Sequence, residues 1–438
     1  MRTYYLRSFG CQMNAHDAER ISALLEAEGL ERVDEPEGAD VLVYNTCTVR
    51  QSADERLAGH LGTAARLKRE RAGRIILVTG CLPQAEKDDL FRRFPFVDGA
   101  LGPQNLHRLP ELLEAAAEPA GRPPGFFADG ATMSGDLAAR RERPYQAWVQ
   151  IMSGCTNFCS YCIVPRVRGP ERSRESRTIV AEVCGLVADG VREVTLLGQN
   201  VNAYGLDLRR GGRVEAPDFP ALLRALDALP GLARVRFMTS HPKDLSDDLI
   251  AALAELPSVC EHVHLPAQAG SDRVLAAMNR GYTAAQYLER VAALRAAVPD
   301  VSVTTDLIAG FPGETDEELA QTLELVRTAE FDAAFTFVFS PRRGTAAADL
   351  PGQVAEPLRR ERVQRLIALT QEYALASRRR WVGRRAEVLV EGVSRDGVLR
   401  RGRTRQNVTV NVDGPVEPGA IVEVEVTAAT STTLRGRA

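Results

Sequence analysis

The chain has 438 residues, 45% of them hydrophobic and 26% charged, and its 55 basic and 58 acidic side chains leave a formal charge of -3. That length exceeds what one hydrophobic core usually organises, so two or three domains are expected, and the ordinary apolar and charged fractions exclude a disordered, collagen-like or coiled-coil chain. No apolar run approaches the roughly 18 residues that cross a bilayer, and Met1 to Gly10 reads as a polar-interrupted strand rather than a leader, so a cytoplasmic protein without a membrane span is expected.

From the amino terminus, short β-rich runs alternate with helical stretches: Tyr4 to Ser8 then His16 to Glu28, Val41 to Asn45 then Ala53 to Glu70, Arg74 to Thr79 then Gln84 to Arg93. Such alternation predicts a wound parallel sheet covered by helices over residues 1–118. A Pro/Gly-rich stretch from Pro119 to Gly135 has no periodicity and reads as a linker. A longer βα series then fills residues 140–372, with strands expected at Trp148 to Met152, Glu193 to Leu197, Val235 to Thr239, Cys260 to Leu265, Val301 to Ile308 and Ala334 to Phe339. Six units are too few for a full eight-unit barrel, so a partial (β/α)6 barrel fits better. The last 66 residues, 373–438, change to short strands with glycine turns (Ala386 to Gly392, Val408 to Val412, Ile421 to Val426, Thr432 to Gly436), which predicts a small all-β, OB-like domain. This end carries 12 Arg against 7 acidic groups, a net +5, leaving -8 for the rest, and is a candidate polyanion contact.

Eight cysteines in a chain of this size are too few for a disulfide scaffold, and their spacing points to metal or catalytic thiolates. Cys155, Cys159 and Cys162 form C-x3-C-x2-C after the first strand of the long βα series. Three thiolates at this spacing suit three irons of a 4Fe-4S cluster, with the fourth iron open; structural zinc, the competing reading, normally wants four closed ligands, and no fourth lies nearby. Cys11, Cys47 and Cys81 each follow a strand of the first domain, at intervals of 36 and 34 residues, one βα unit each. Any one of them alone reads as a buried small hydrophobe, but three at one topological position read as ligands of a second 4Fe-4S cluster beyond the carboxyl ends of neighbouring strands. Cys184 and Cys260 read as core. Arg166, Arg168, Arg172, Arg174 and Arg177 form a basic run, either an RNA contact or a solvated face.

With Tyr161 before the third cysteine and six βα units around it, the second motif resembles the radical S-adenosylmethionine superfamily. The resemblance implies that the amino and carboxylate groups of S-adenosylmethionine chelate the open iron, and that one electron splits the cofactor to a 5'-deoxyadenosyl radical. Over essentially the whole chain, GCQMN (10–14), NTCTVR (45–50), TGC (79–81), SGCTNFCSYCIVPRVRGPERSR (153–174), LLGQNVNAYG (196–205) and TDLIAGFPGET (305–315) resemble the tRNA methylthiotransferases, whose C-terminal β domain is a TRAM domain that grips RNA. The first two motifs are most similar to members that add a methylthio group to carbon 2 of isopentenyl-adenosine at tRNA position 37. The resemblance implies that one S-adenosylmethionine donates methyl to a sulfur at the Cys11/Cys47/Cys81 cluster and that a second is cleaved at the Cys155/Cys159/Cys162 cluster. The resemblance also implies a tRNA partner, a one-electron donor such as flavodoxin or ferredoxin, a sulfur source, and a monomer.

Tyr161, Gln199, Asn200, His241 and Asp306 sit where barrel strands present ligand-binding groups and are candidates to contact S-adenosylmethionine, or to hold loops together. GFPGE (310–314) either admits a close approach or turns the chain. Two departures from the family pattern are Ala269, where a Ser is common, and a more basic RTRQN (403–407). The rival readings are a sister methylthiotransferase for threonylcarbamoyl-adenosine or a ribosomal protein, and a noncatalytic RNA-binding iron-sulfur redox sensor.

Overall fold

The computed structural model describes residues 2–48, 51–118, 123–127, 133–394 and 397–438, with backbone alone at 51–55. The chain divides into two compact units: Met1–Arg143 with Trp148–Thr156 and Cys162–Arg172, and Pro144–Ala147 with Asn157–Tyr161 and Ser173–Ala438.

In the first unit the order is β1 (Thr3–Ser8), α1 (Gln12–Ala27), β2 (Glu31–Arg32), β3 (Val41–Thr46), α2 (Gln51–Glu70), β4 (Ile75–Gly80), α3 (Cys81–Glu86), α4 (Asp88–Arg93), β5 (Gly99–Leu101), α5 (Leu109–Ala117) and β6 (Gly125–Phe126). The strands form one parallel sheet, ordered β2-β1-β3-β4-β5-β6. β3 and β4 are buried along their whole length, which explains why VLVY and IILV are continuous apolar runs. Leu42 and Tyr44 pack on one face with Leu57, Leu61 and Val78, while Val41 and Val43 pack on the other with Tyr4, Ile21 and Leu112. Each such side chain contributes roughly 1.5–3 kcal/mol by leaving water. The helix expected at Gln84 to Arg93 starts earlier, at Cys81, and breaks at Lys87, whose φ of +48° is left-handed. The expected linker is partly structured: β6 extends the sheet, and Ser134 is buried against α1, while 119–122 and 128–132 lie outside the described residues.

The chain continues through β7 (Gln146–Gln150), β8 (Met152–Ser153), α6 (Val164–Arg168) and β9 (Arg172–Ser173). Next come α7 (Ser176–Ala188), β10 (Glu193–Leu197), α8 (Leu206–Arg210), α9 (Phe219–Asp227), β11 (Arg234–Phe237), α10 (Asp247–Glu255) and β12 (His262–His264). α11 (Asp272–Ala277), α12 (Ala284–Ala297), β13 (Ser302–Ala309), α13 (Asp316–Ala329), β14 (Ala333–Val338) and α14 (Glu356–Arg379) complete the series. β10 pairs with β11 and β12-β13-β14 pair in turn, all parallel; between β11 and β12 the bridge Val235 to Val259 joins the two sheets. This is the expected partial barrel. Cys260 is buried, but Cys184 is exposed on α7 rather than core, because the buried residues of that helix are Ile179 and Val183.

β15 (Arg385–Val393), β16 (Arg400–Thr404), β17 (Thr409–Asp413), β18 (Ile421–Ala429) and β19 (Thr433–Arg437) close a small barrel in the order β15-β16-β17-β19-β18. β16 has no counterpart in the sequence reading, since RRGRT lacks an apolar alternation. Arginines bind this barrel to the βα strands. Arg234, fully buried, grips the Glu387 carboxylate at 2.7 and 2.9 Å and donates to the Arg403 carbonyl at 3.0 Å. Arg236 donates to Glu193 at 2.8 Å and to the carbonyls of Thr404 and Arg405, and Arg405 forks onto Glu261 at 2.8–3.0 Å. RTRQN is therefore a clamp within this unit, and part of the basic excess of the C-terminal end is neutralised by it.

Candidate functional site

β1, β3 and β4 are neighbours, and each delivers a cysteine at its carboxyl end: Cys11 caps α1, Cys47 follows β3 and Cys81 opens α3. Wound sheets present ligand-binding groups on this side. Gly10, at φ +111°, makes the approach close, for a Cβ there would stand 2.3 Å from the Cys47 Cβ. Asn14 of GCQMN ties the loops together, donating to the carbonyls of Phe9 (2.9 Å) and Thr46 (2.8 Å), and Asn45 of NTCTVR donates back to the Asn14 carbonyl at 2.8 Å. These two motif asparagines hold the cysteine loops in register.

A buried cation serves this site. Arg168, 5% exposed, pairs with Asp17 at 3.1 Å, and Asp17 also accepts from Ser134 at 2.8 Å and meets His16 at 3.2 Å. The Cys11 thiol is drawn down to about 6 by its hydrogen bond to Cys47, with help from Arg168. Although Cys11 exposes surface to solvent, protein crowds its thiol on the other sides, so dehydration opposes this shift. Burial pushes the Cys81 thiol up against the pull of Arg168. Burial also opposes charge on Asp17, yet Arg168, His16 and Ser134 together bring it down to about 2. Among the described residues, no three Cys, His, Asp or Glu side chains stand gathered as a single-ion site. The donor chemistry fits an iron-sulfur cluster: three soft thiols at adjacent strand ends, with a fixed positive charge to offset theirs. Arg168 was expected to face RNA or solvent, and it does neither. Arg174 is also buried, paired with Glu182 at 2.7 Å, so of the basic run Arg166 and Arg177 are the exposed members.

The second motif is held in two pieces. In the first unit, the Cys155 amide donates to the Gly169 carbonyl at 3.1 Å, and the segment after Cys162 packs Ile163 and Val167 against Cys81. In the second unit, Ser160 anchors the loop carrying Cys159 and Tyr161 by donating to the carbonyls of Met278 (3.0 Å) and Ala277 (2.8 Å). The buried guanidinium of Arg280 lies 3.3 Å from the Cys159 Sγ and 3.4 Å from the Tyr161 hydroxyl, and is fixed by the Pro266 carbonyl at 2.9 Å. The sequence reading missed Arg280; NRGY carries no signal that its arginine turns inward.

Of the expected cofactor contacts, Asn200 and His241 lie just beyond the ends of β10 and β11, buried, and Gln199 is beside them, half-buried. Asn200 donates to Asp244 at 2.8 Å while its Oδ1 has no partner, and the Nε2 of His241 and Oγ of Ser240 are likewise buried without one. Burial, with Arg280 and Lys243 nearby, holds His241 neutral, at about 2. Three orphaned polar atoms at adjacent strand ends fit a polar cofactor such as S-adenosylmethionine. Asp306, on β13, stands 3.5 Å from His264, which contacts Thr304 at 3.0 Å and the exposed Phe335 ring; His264 is a second residue the sequence reading passed over. GFPGE is structural: a Cβ on Gly310 would strike the Arg359 stem at 2.2 Å, and Glu314 accepts from the Gly310 amide and pairs with Arg362. Ala269 is buried in the core beside Phe311, so its missing hydroxyl leaves no gap in a polar contact.

Three family models match the chain: the Radical SAM superfamily over residues 149–326, the Uncharacterized protein family UPF0004 over 3–102 and the TRAM domain over 379–438. The tRNA-2-methylthio-N(6)-dimethylallyladenosine synthase of Caldicellulosiruptor saccharolyticus is 46% identical over 415 residues, covering 94% of this chain and 87% of its own. That of Carboxydothermus hydrogenoformans is 46% identical over 430 residues, 97% of each chain. Among solved structures, the radical S-adenosylmethionine methyltransferase TsrM from Kitasatospora setae, with cobalamin and a [4Fe-4S] cluster bound, matches at a TM-score of 0.57 and 16% identity over 79% of this chain and 77% of that one, a likeness of fold alone.

Proposed function

Because the chain belongs to the tRNA-2-methylthio-N(6)-dimethylallyladenosine synthase family, we propose that it is a radical S-adenosylmethionine methylthiotransferase acting on carbon 2 of dimethylallyl (isopentenyl) adenosine at tRNA position 37. The observation that carries the reading is the near-full-length identity to these relatives together with three cysteines delivered by three adjacent strand ends. Cys11, Cys47 and Cys81 would hold one 4Fe-4S cluster and Cys155, Cys159 and Cys162 the other. The chemistry supplied by the clusters and S-adenosylmethionine when bound is one-electron hydrogen abstraction and methyl and sulfur transfer.

The protein's own residues bind, orient and compensate. Arg168 and Arg280 offset thiolate charge at the two sites. Asn200, Ser240 and neutral His241 offer hydrogen-bonding atoms to the cofactor, and Tyr161, Gln199 and Asp306 are the further candidate contacts. The C-terminal barrel supplies RNA affinity, and the target base lies in a single-stranded loop from which a pocket can take it. A flavodoxin or ferredoxin, a sulfur source, a cytoplasmic setting and a monomer complete the reading; no described helix is long and apolar enough to cross a membrane. The test is nucleoside analysis of tRNA from cells with and without the protein. Loss of the methylthio nucleoside with accumulation of dimethylallyl-adenosine is expected; an unchanged nucleoside profile would overturn the reading.

A further inference from the structure

A cavity of about 320 Å³ opens at the amino-terminal end of β13, between the last turn of α14 and the C-terminal barrel. It lies away from Asn200 and His241, which sit beyond the carboxyl ends of their strands. Four arginines (295, 378, 380 and 384) and three acids line it, leaving one positive charge in excess. The acids are already occupied or turned to water: Asp300 pairs with Arg384; Asp332 accepts from the Val303 amide at 2.8 Å, from Ser377 and from Arg380 at 3.5 Å; and Glu330 is exposed.

Arg378 is the exception. It is 6% exposed, its Nε has no hydrogen-bond partner, and among the described residues no carboxylate stands within ion-pair distance of it. Among the described residues its guanidinium makes one long contact, from Nη1 to the Ser377 hydroxyl at 3.5 Å. The Ser302 hydroxyl, in the same lining, is also buried without a partner among the described residues. Asp332 reaches Arg378 only at a distance and through the Ser377 hydroxyl, and burial still disfavours the charge on this guanidinium. A buried guanidinium without a direct carboxylate partner is costly, and so is an unsatisfied hydroxyl, and together they offer donors to an anion.

We propose that this cavity binds a phosphate group, ion-paired by Arg378 and hydrogen-bonded by Ser302, with Trp381 as an apolar wall beside it. A forked guanidinium matches phosphate geometry, and the hydroxyl completes the donor set. The phosphate belongs either to an RNA backbone or to a free phosphate compound. The site is independent of the methylthio reaction, so its test does not need activity.

The experiment is calorimetric titration of the reconstituted full-length enzyme with inorganic phosphate, against chloride at matched ionic strength. One saturable site is expected. Arg378→Met should weaken it at least about tenfold, since a charge-assisted bond is lost. Ser302→Ala should weaken it severalfold with iron content and melting temperature unchanged, and it carries the test alone if Arg378→Met does not fold. Repeating the titration with tRNA present identifies the source: displacement assigns the site to RNA backbone phosphate, and simultaneous binding assigns it to a free phosphate compound. Absence of saturable phosphate binding, or equal affinity in wild type and Ser302→Ala, would overturn the proposal.

Discussion

The Nη1 of Arg280 lies 3.3 Å from the Sγ of Cys159, although 121 residues separate them in sequence. The guanidinium is buried and anchored by the Pro266 carbonyl and the Tyr282 hydroxyl, so it cannot swing out to water. A fixed positive charge beside a cluster thiolate favours the reduced cluster and raises its potential. Arg280→Met should therefore keep its iron yet show a more negative midpoint in an EPR-monitored redox titration, with Arg280→Lys in between. An unchanged midpoint in Arg280→Met would leave the arginine a packing role only.

Two separate cysteine sets predict two separable metal loads. Anaerobically reconstituted protein should hold about eight irons, as two four-iron clusters. Replacing Cys155, Cys159 and Cys162 together by Ala should leave about half, and replacing Cys47 should spare reductive cleavage of S-adenosylmethionine while abolishing methylthio product. Tightly bound zinc in place of iron, or complete iron loss in the triple variant, contradicts this division.

Acid should weaken the first unit through groups buried beside the three-cysteine site. Burial and the neighbouring Arg20 depress His16 from 6.5 to about 4, so the unfolded chain takes up a proton that the folded one refuses. Stability is fully present above about pH 6.5 and falls as pH drops towards 4, by about 3 kcal/mol for this histidine. Asp17, depressed from 3.8 to about 2, adds a loss of about 2 kcal/mol below that, between pH 4 and 2. Urea unfolding of His16→Asn at pH 7 and pH 5 checks the first term: the variant should lose less stability than wild type between the two. Asp17→Asn, which strands Arg168, should cost about 3–5 kcal/mol at neutral pH.

The sequence carried the elements whose pattern is local. β10 falls where its EVTLL run predicts, and the three cysteines after strands β1, β3 and β4 come together because a parallel sheet brings equivalent strand ends side by side. What it hid are contacts between distant segments. Arg168 and Arg405 read as charge for RNA or solvent because nothing in their neighbourhoods names Asp17 or Glu261 as the partner that holds each one. Arg280 was silent for the same reason. Cys184 misled in the other direction, since an apolar neighbourhood on a helix does not say which side of the helix faces the core.

The clamp between Arg234, Arg236 and the C-terminal barrel decides how RNA binding must be tested. Removing residues 373–438 would cut α14, which runs through residue 373, and strand two buried arginines, so a truncated chain would report misfolding. Arg435 and Arg437 offer a cleaner probe: both are exposed on β19, with the buried Leu434 and Gly436 between and beside them. Arg435→Gln with Arg437→Gln should weaken tRNA binding and flatten the slope of log affinity against log salt by roughly 1–2, since each lost phosphate contact removes about 0.7–0.9. Iron content and melting temperature should stay as in wild type. Arg405→Gln, which leaves Glu261 without its fork, should instead lower stability by about 1–3 kcal/mol with little change in salt slope. If the double variant binds tRNA with unaltered affinity and slope, β19 is not the RNA face, and exposed Arg166 and Arg177 become the residues to substitute next.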